Sequence, residues 1–457
     1  MRILLTHGYF LSSDQREQQI MRPYVPLGLL YISAWLKENN LPHDVLDTTF
    51  STPDAQWQYI STKKPDIIAC YVNLMTRAHV VTLMQRIKSD TSCSHIRIIL
   101  GGPEVRNNAE QFLQHGADYL VLGEGEVSFL ALIKGLENNT APDNIAGIAF
   151  RRESGEVVRT AEREKIRDID ILPMPNRAAV DLQQYLDVWK KHHGKNAISV
   201  STMRGCPYTC KWCSRAVYGQ SYRRRSPEKV VEELIYIRDT YAPDTIWFVD
   251  DVFTVSHEWL RKFTALIEAQ GLHMPFECIT RADRMHTEVI ELLKRAGCFR
   301  VWIGAESGSQ KIIDAMDRRV DVQQVQAMIR ETQQHGIEAG TFIMLGYPGE
   351  DESDIHATVA HLLAALPDHF TITTAYPIKG TELYTEVSDA LNTIPPWATS
   401  SDRDLKFKRT YPEKYYPFAV RFVVHAVHFA KTGKWLHYLK SRIALLCMKW
   451  IRTTAAN

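Results

Sequence analysis

The stretch ISVSTMRGCPYTCKWC, residues 198–213, runs from a β-branched apolar segment straight into a loop with cysteines at 206, 210 and 213. The first part, ISVSTM (198–203), predicts a strand. The loop spells C-x-x-x-C-x-x-C. Three thiolates this close together can bind three irons of one [4Fe–4S] cubane. The fourth iron then has no protein ligand, and an open position is what a chelating substrate needs at a catalytic metal. Gly205 and Pro207 suit a chain that bends tightly around a cluster. Two plainer readings compete: a zinc site, whose fourth ligand would come from His192 or His193 upstream, or three unrelated core cysteines.

Downstream, TIWFVDD (245–251), FECITR (276–281), VWIGAES (301–307), TFIMLG (341–346) and FTITTAYP (370–377) alternate with helical patterns such as SPEKVVEELIYIRDTY. Six strands alternating with helices predict a partial, TIM-like (β/α)6 barrel over 196–390, with its site at the carboxyl ends of the strands. Upstream, RILLTH (2–7), HDVLDTTF (43–50), DIIACYVNL (66–74), IRIILGG (96–102) and ADYLVLGEGE (117–126) are also nearly continuous apolar strands with helices between them. That pattern predicts an α/β, doubly wound, Rossmann-like domain over 1–140, its ligand beyond the strand ends. Residues 141–195 read as a hairpin and linker, and 391–457 as an α-helical segment with no strand signal.

The formal net charge of +1 argues against a polyanion binder. It hides an asymmetry: residues 403–457 hold twelve Lys/Arg against two Asp/Glu. The segment YYPFAVRFVVHAVHFAKTGKWLHYLKSRIALLCMKWIR (415–452) places aromatic and aliphatic residues at helical spacing among Lys and Arg. It reads as a helical cap over the barrel mouth, and it also fits a peripheral contact with an anionic membrane surface. MRILLTHGYF is too short an apolar run for a signal peptide, and no run of 18 apolar residues occurs. A cytoplasmic protein is expected, its eight cysteines being thiols or metal ligands.

With Trp212 directly before the third cysteine, the loop resembles that of the radical S-adenosylmethionine superfamily. The resemblance implies that Cys206, Cys210 and Cys213 hold the cluster, that S-adenosylmethionine binds its open iron, and that Trp212 packs on the adenine. Val301–Ser309 is similar to the family's fourth-strand motif, in which Glu306 accepts from the ribose hydroxyls. Arg281 is expected on the carboxylate of S-adenosylmethionine, Asp250 or Asp251 on its amino group or on a substrate, and Gly346 where backbone approaches the cofactor. Plainer roles are a salt bridge for Arg281 and a helix cap for the acids.

The first domain resembles the cobalamin-binding domain that precedes many of these enzymes. The resemblance rests on Pro26-Leu27-Gly28-Leu29-Leu30, the loop from Asn73, Gly101-Gly102-Pro103-Glu104 and Gly123-Glu124-Gly125-Glu126, and it implies cobalamin contacts at Asn73, Gly101, Gly102 and Glu124. The D-x-H-x-x-G motif of other cobalamin folds is missing, and His7 is the one histidine near the expected site. The layout is similar to the subgroup of the anaerobic magnesium-protoporphyrin ester cyclase and the cobalamin-dependent radical methyltransferases. It implies methylation of an unactivated carbon on a small or lipid-like substrate, with a flavodoxin or ferredoxin as electron donor. The alternatives are a radical oxidoreductase or cyclase, and a non-catalytic cobalamin or iron–sulfur sensor.

Overall fold

A computed structural model describes residues 1–455, the last by its backbone alone. Seven strands form the first sheet: β1 (Ile3–His7), β2 (His43–Leu46), β3 (Ile67–Tyr71), β4 (Arg97–Gly101), β5 (Tyr119–Val121), β6 (Ile148–Arg151) and β7 (Val157–Arg159). Their order is 2-1-3-4-5-6-7. The first five are parallel, and β6 and β7 add antiparallel at the edge. β1 is buried along its whole length, as an apolar strand covered on both faces must be. The hairpin expected in the linker is therefore part of this sheet, which reaches residue 159 and not 140.

The second sheet opens with β8 (Ala197–Val200). Next comes a short antiparallel pair, β9 (Met203–Arg204) and β10 (Arg223–Arg224), which brackets the cysteine loop. β11 (Thr245–Phe248), β12 (Phe276–Thr280), β13 (Cys298–Glu306), β14 (Glu338–Leu345) and β15 (His369–Thr374) complete six parallel strands in the order 8-11-12-13-14-15. β8 and β15 do not pair, so the barrel is open. Local chemistry sets the helix limits. Ser226 accepts from the Lys229 N–H ahead of the helix Pro227–Tyr241, and Asp351 and Asp354 form a capping box on Glu352–Ala365.

Residues 391–455 depart from two expectations. A two-stranded ribbon, β16 (Leu391–Thr393) with β17 (Lys406–Phe407), lies in the segment expected to lack strands. The helix Tyr416–Thr432 does not cover the barrel mouth. Tyr416 sits beside Gly346, just past β14, while Lys431 Nζ bonds the Asp368 carbonyl, just before β15, at 2.9 Å. The helix thus runs back beside the open edge of the barrel, packed on the helix Glu352–Ala365, and leaves Thr371 and Thr373 of β15 exposed. Its apolar face (Tyr416, Ala419, Phe422, Val423, Val427) joins the barrel core.

Candidate functional site

The cysteine loop leaves β8 through β9 and places its three thiols differently: Cys210 buried, Cys206 half-buried, Cys213 exposed. Two guanidinium groups face Cys210 Sγ, Arg318 Nη1 at 3.6 Å and Arg281 Nη1 at 3.7 Å. Arg281 also donates to Asp283 at 2.8 Å and to the Arg318 carbonyl at 2.7 Å, and it lies 3.8 Å over the Tyr208 ring. Arg318 donates to the Gly304 carbonyl at 3.0 Å and stands 3.8 Å from Glu306, while its Nε is buried with no partner. Around it Glu306, Asp317 and Arg319 have φ of 66°, 48° and 54°. Three non-glycine residues in the left-handed region mark a backbone strained to hold one side chain in place.

Among the described residues no three His, Cys, Asp or Glu side chains already close on one point as metal ligands. The donor set and its charge nevertheless fit an iron–sulfur cluster. Arg281 and Arg318 each aim an N–H at Cys210 Sγ although Asp283 and Glu306 already lie beside them, and a thiolate accepts such charged donors better than a thiol does. Burial, with the Asp251 carboxylate adding to it, raises the Cys206 thiol. Metal loading must therefore displace protons.

The residues expected at S-adenosylmethionine are partly gathered. Trp212 packs on the cluster of Ile312, Met316, Tyr347 and Leu383, with Arg318 at 5.9 Å from its ring. Arg318 therefore joins Trp212, Glu306 and Cys210 at one place. Burial raises the Glu306 carboxyl against the pull of Arg318. Asp250 caps no helix: it accepts from the Thr202 and Met203 N–H groups at 2.7 and 3.2 Å and faces Arg224 at 3.7 Å. Asp251 beside it lines the main cavity.

Gly346 is turned to packing. At φ +78° a Cβ would run into Tyr416 and Arg409, and its N–H donates to Glu350. Burial pushes the Glu350 carboxyl up to about 8. Its folded pKa thus lies above the unfolded one, the native state holds the extra proton, and stability falls as pH rises from about 4.5 to 8. Glu350→Gln is expected to melt higher than the parent at pH 8.5, with the gap closing at pH 5. A gap independent of pH counts against this.

One cavity of about 320 Å³ lies where the carboxyl ends of both sheets meet. Leu5, Tyr71, Gly101, Gly102, Glu124 and Gly125 wall it from the first domain, and Met203, Arg204, Tyr218, Asp250 and Asp251 from the second. The order 2-1-3-4-5 puts the topological switch between β1 and β3 at its floor, where ligands of doubly wound sheets bind. At Gly101 nothing lies within 4 Å of where a Cβ would stand, so the backbone itself forms a cradle open to the cavity. Gly102, at φ +110°, passes under the Val72 carbonyl, where a Cβ would collide. A large planar ligand fits such a wall. Glu124 accepts from the Ile166 N–H at 3.1 Å and pairs with Arg223.

Two of the residues expected at cobalamin do not line the cavity. The His7 ring is bound by Asp47 at 2.9 Å and Thr48 at 3.1 Å, tying β1 to the loop after β2. Asn73 Oδ1 accepts from the Met75 and Thr76 N–H groups and closes its own turn. Among the described residues the cavity wall contains no histidine.

Two features escaped the sequence reading. Arg318 sits in Asp-Arg-Arg (317–319), which looks like a solvated turn. Arg204 pairs with Glu126, 78 residues earlier, with Nη1 at 3.1 Å, and lies between the rings of Tyr31 and Tyr218. Its place two residues before Cys206 was the available signal. Asp251 was read as an equal alternative to Asp250, yet only Asp251 is exposed.

Two family models match the chain: the radical SAM superfamily over residues 200–362 and the B12 binding domain over 21–133. The chain is 28% identical to an uncharacterised methyltransferase of Pyrococcus horikoshii, over 84% of its own length and 82% of the other's. It is 24% identical to the anaerobic magnesium-protoporphyrin IX monomethyl ester cyclase of Synechocystis sp., over 84% and 77%. Its fold is similar to that of the radical S-adenosylmethionine methyltransferase TsrM from Kitasatospora setae, solved with cobalamin and a [4Fe–4S] cluster. The TM-score is 0.72 at 16% identity, covering 98% of this chain and 99% of that one.

Proposed function

We propose, from the premise that this chain belongs to the radical S-adenosylmethionine superfamily and carries a B12 binding domain ahead of its barrel, that it methylates an unactivated carbon of a small organic substrate. The observation that carries the reading is the cavity walled by both domains, with the Gly101–Gly102 cradle on one side and the residues leading into the cysteine loop on the other. When bound, the cluster and S-adenosylmethionine supply a carbon-centred radical, and cobalamin carries the methyl group.

The chain's own part is binding and exclusion. Cys206, Cys210 and Cys213 would hold three irons, and Arg281 and Arg318 would balance the charge behind Cys210. Glu306 and Trp212, held by Arg318, would take the ribose and adenine of S-adenosylmethionine, with Asp250 and Asp251 near its amino group. Gly101, Gly102 and Glu124 would border the corrin. Tyr31, Tyr71 and Tyr218 keep the cavity wall largely apolar, which limits water around reactive species. The reading also takes a flavodoxin or ferredoxin as electron donor and a membrane contact through the carboxyl-terminal helices.

The test is product mass after anaerobic incubation with reductant, cobalamin, methyl-labelled S-adenosylmethionine and candidate substrates. One labelled methyl gained supports methylation. Ring closure or inserted oxygen points to the cyclase-type alternative, for which the Synechocystis relative speaks. Absence of 5′-deoxyadenosine would leave only a sensor.

The corrin site has its own test. Gly101→Leu projects a side chain into open space, so folding should be unaffected while the cradle is filled. Corrinoid retained through gel filtration is expected to fall at least about tenfold, with iron content unchanged, because the lost contact is steric. Equal corrinoid in the variant would remove this wall from the site.

A further inference from the structure

The last helix, Trp435–Ala455, buries Ser441, Ala444, Leu445, Met448 and Ile451 against the molecule. Trp435, Leu436, Leu439, Ile443, Leu446 and Trp450 are 52–67% exposed, six of the fourteen large hydrophobic side chains exposed among the described residues. At 3.6 residues per turn these six fall within an arc of about 100°, almost opposite the buried row. From Trp435 to Trp450 the stripe runs roughly 22 Å. Lys440 borders it on one side, and Arg442 and Lys449 on the other. No Asp or Glu follows Glu413 in the chain.

An apolar patch of this length on a helix already anchored from behind needs an occupant. Its rim selects one. A second copy docked face to face would bring basic border against basic border, which costs binding. An anionic lipid surface satisfies both parts at once: the apolar arc enters the headgroup boundary while the lysines and arginines stay at the phosphates. The two tryptophans, at opposite ends of the stripe, suit that boundary, where their amphipathic rings settle. Among the described residues no helix is long and apolar enough to cross a membrane. The contact is therefore in-plane.

We infer that the helix Trp435–Ala455 lies flat on an anionic bilayer and docks the enzyme there through Leu436, Leu439, Ile443, Leu446 and both tryptophans. This deepens the membrane contact named above and is independent of the chemistry at the cavity.

The experiment is co-sedimentation of the reconstituted protein with phosphatidylcholine vesicles, with and without a third of phosphatidylglycerol, at low and high salt. The expected result is binding to the anionic vesicles alone, weakened by salt. Changing Leu439, Ile443 and Leu446 together to Ser should lower partitioning at least about tenfold, because these side chains supply the buried apolar area. Lys440→Gln with Arg442→Gln should remove the preference for phosphatidylglycerol. All these positions are exposed, so 5′-deoxyadenosine formation should match the parent and report an intact fold. Three results overturn the inference: no anionic-vesicle binding by an active parent; equal binding by the triple-Ser variant; or a parent dimer in solution that this variant dissociates. None of the three touches the methyl-transfer reading, which falls on 5′-deoxyadenosine and product mass alone.

Discussion

Alanine at any one of Cys206, Cys210 or Cys213 is expected to reduce 5′-deoxyadenosine formation to background. Anaerobic reconstitution of such a variant should give no stable [4Fe–4S] absorbance. The loss should exceed the roughly 10–100-fold that follows when only a ligand's neighbour is changed. Two thiolates cannot hold three irons of a cubane, and the loop offers no substitute ligand. The site is tuned to sulfur: Cys210 accepts from two guanidiniums, and without it both are buried beside an alanine methyl. Cys447→Ala, in the last helix and away from the loop, serves as the control and should load iron normally. A Cys213→Ala protein that keeps full iron and cleaves S-adenosylmethionine at the parent rate sinks the assignment.

The largest expected loss of stability lies elsewhere. Glu233, on the helix Pro227–Tyr241, is fully buried between Arg177, at 2.7 Å, and Arg225. Arg177 also donates to the Ser199 carbonyl at 2.8 Å, so this carboxylate ties the linker to β8. Glu233→Ala leaves two guanidiniums buried without countercharge, at a cost of about 3–5 kcal/mol. Glu232→Ala, one residue away, removes an exposed pair with Lys229 at 2.9 Å and should cost no more than about 1 kcal/mol. Urea midpoints for the two variants check the contrast, and equal shifts would refute it. Burial alone would raise the Glu233 carboxyl, but Arg177 and Arg225 outweigh it and hold it low. Its stabilisation is therefore present above the ordinary carboxylate pKa and is lost as pH falls through the folded value.

Much of the architecture was legible because it is written locally. Apolar runs such as RIILG and TFIMLG, separated by helical patterns, announce parallel strands. The cysteine spacing suggests a cluster site within eight residues. What stayed hidden depends on pairs far apart in the chain. Nothing near Arg204 points to Glu126, and nothing near Arg77 points to Glu104 and Asp402, which it binds at 2.9 and 3.0 Å. The left-handed backbone at Glu306, Asp317 and Arg319 has no glycine to betray it, so the support of Arg318 could not be read. β16 and β17, three and two residues long, are too short to leave a period. The helix Tyr416–Thr432 was correctly read as amphipathic. The pattern says that one face is buried but not against what, and the barrel edge took the place assigned to the mouth.

The ribbon segment has a practical consequence. Trp397 packs 4.7 Å from Phe112 in the core of the first domain and donates to Asn108 at 3.1 Å, while Phe407, ten residues on, lies in the core beside Tyr347 and Leu383. One short piece of chain from the far end of the sequence thus stitches both halves together. Neither half is a portable cassette. Exchanging the front domain for a relative's, or trimming the protein to its barrel, would expose Phe112 or strand Trp397, and a chimera would have to carry the 391–407 strap along with the domain it laces.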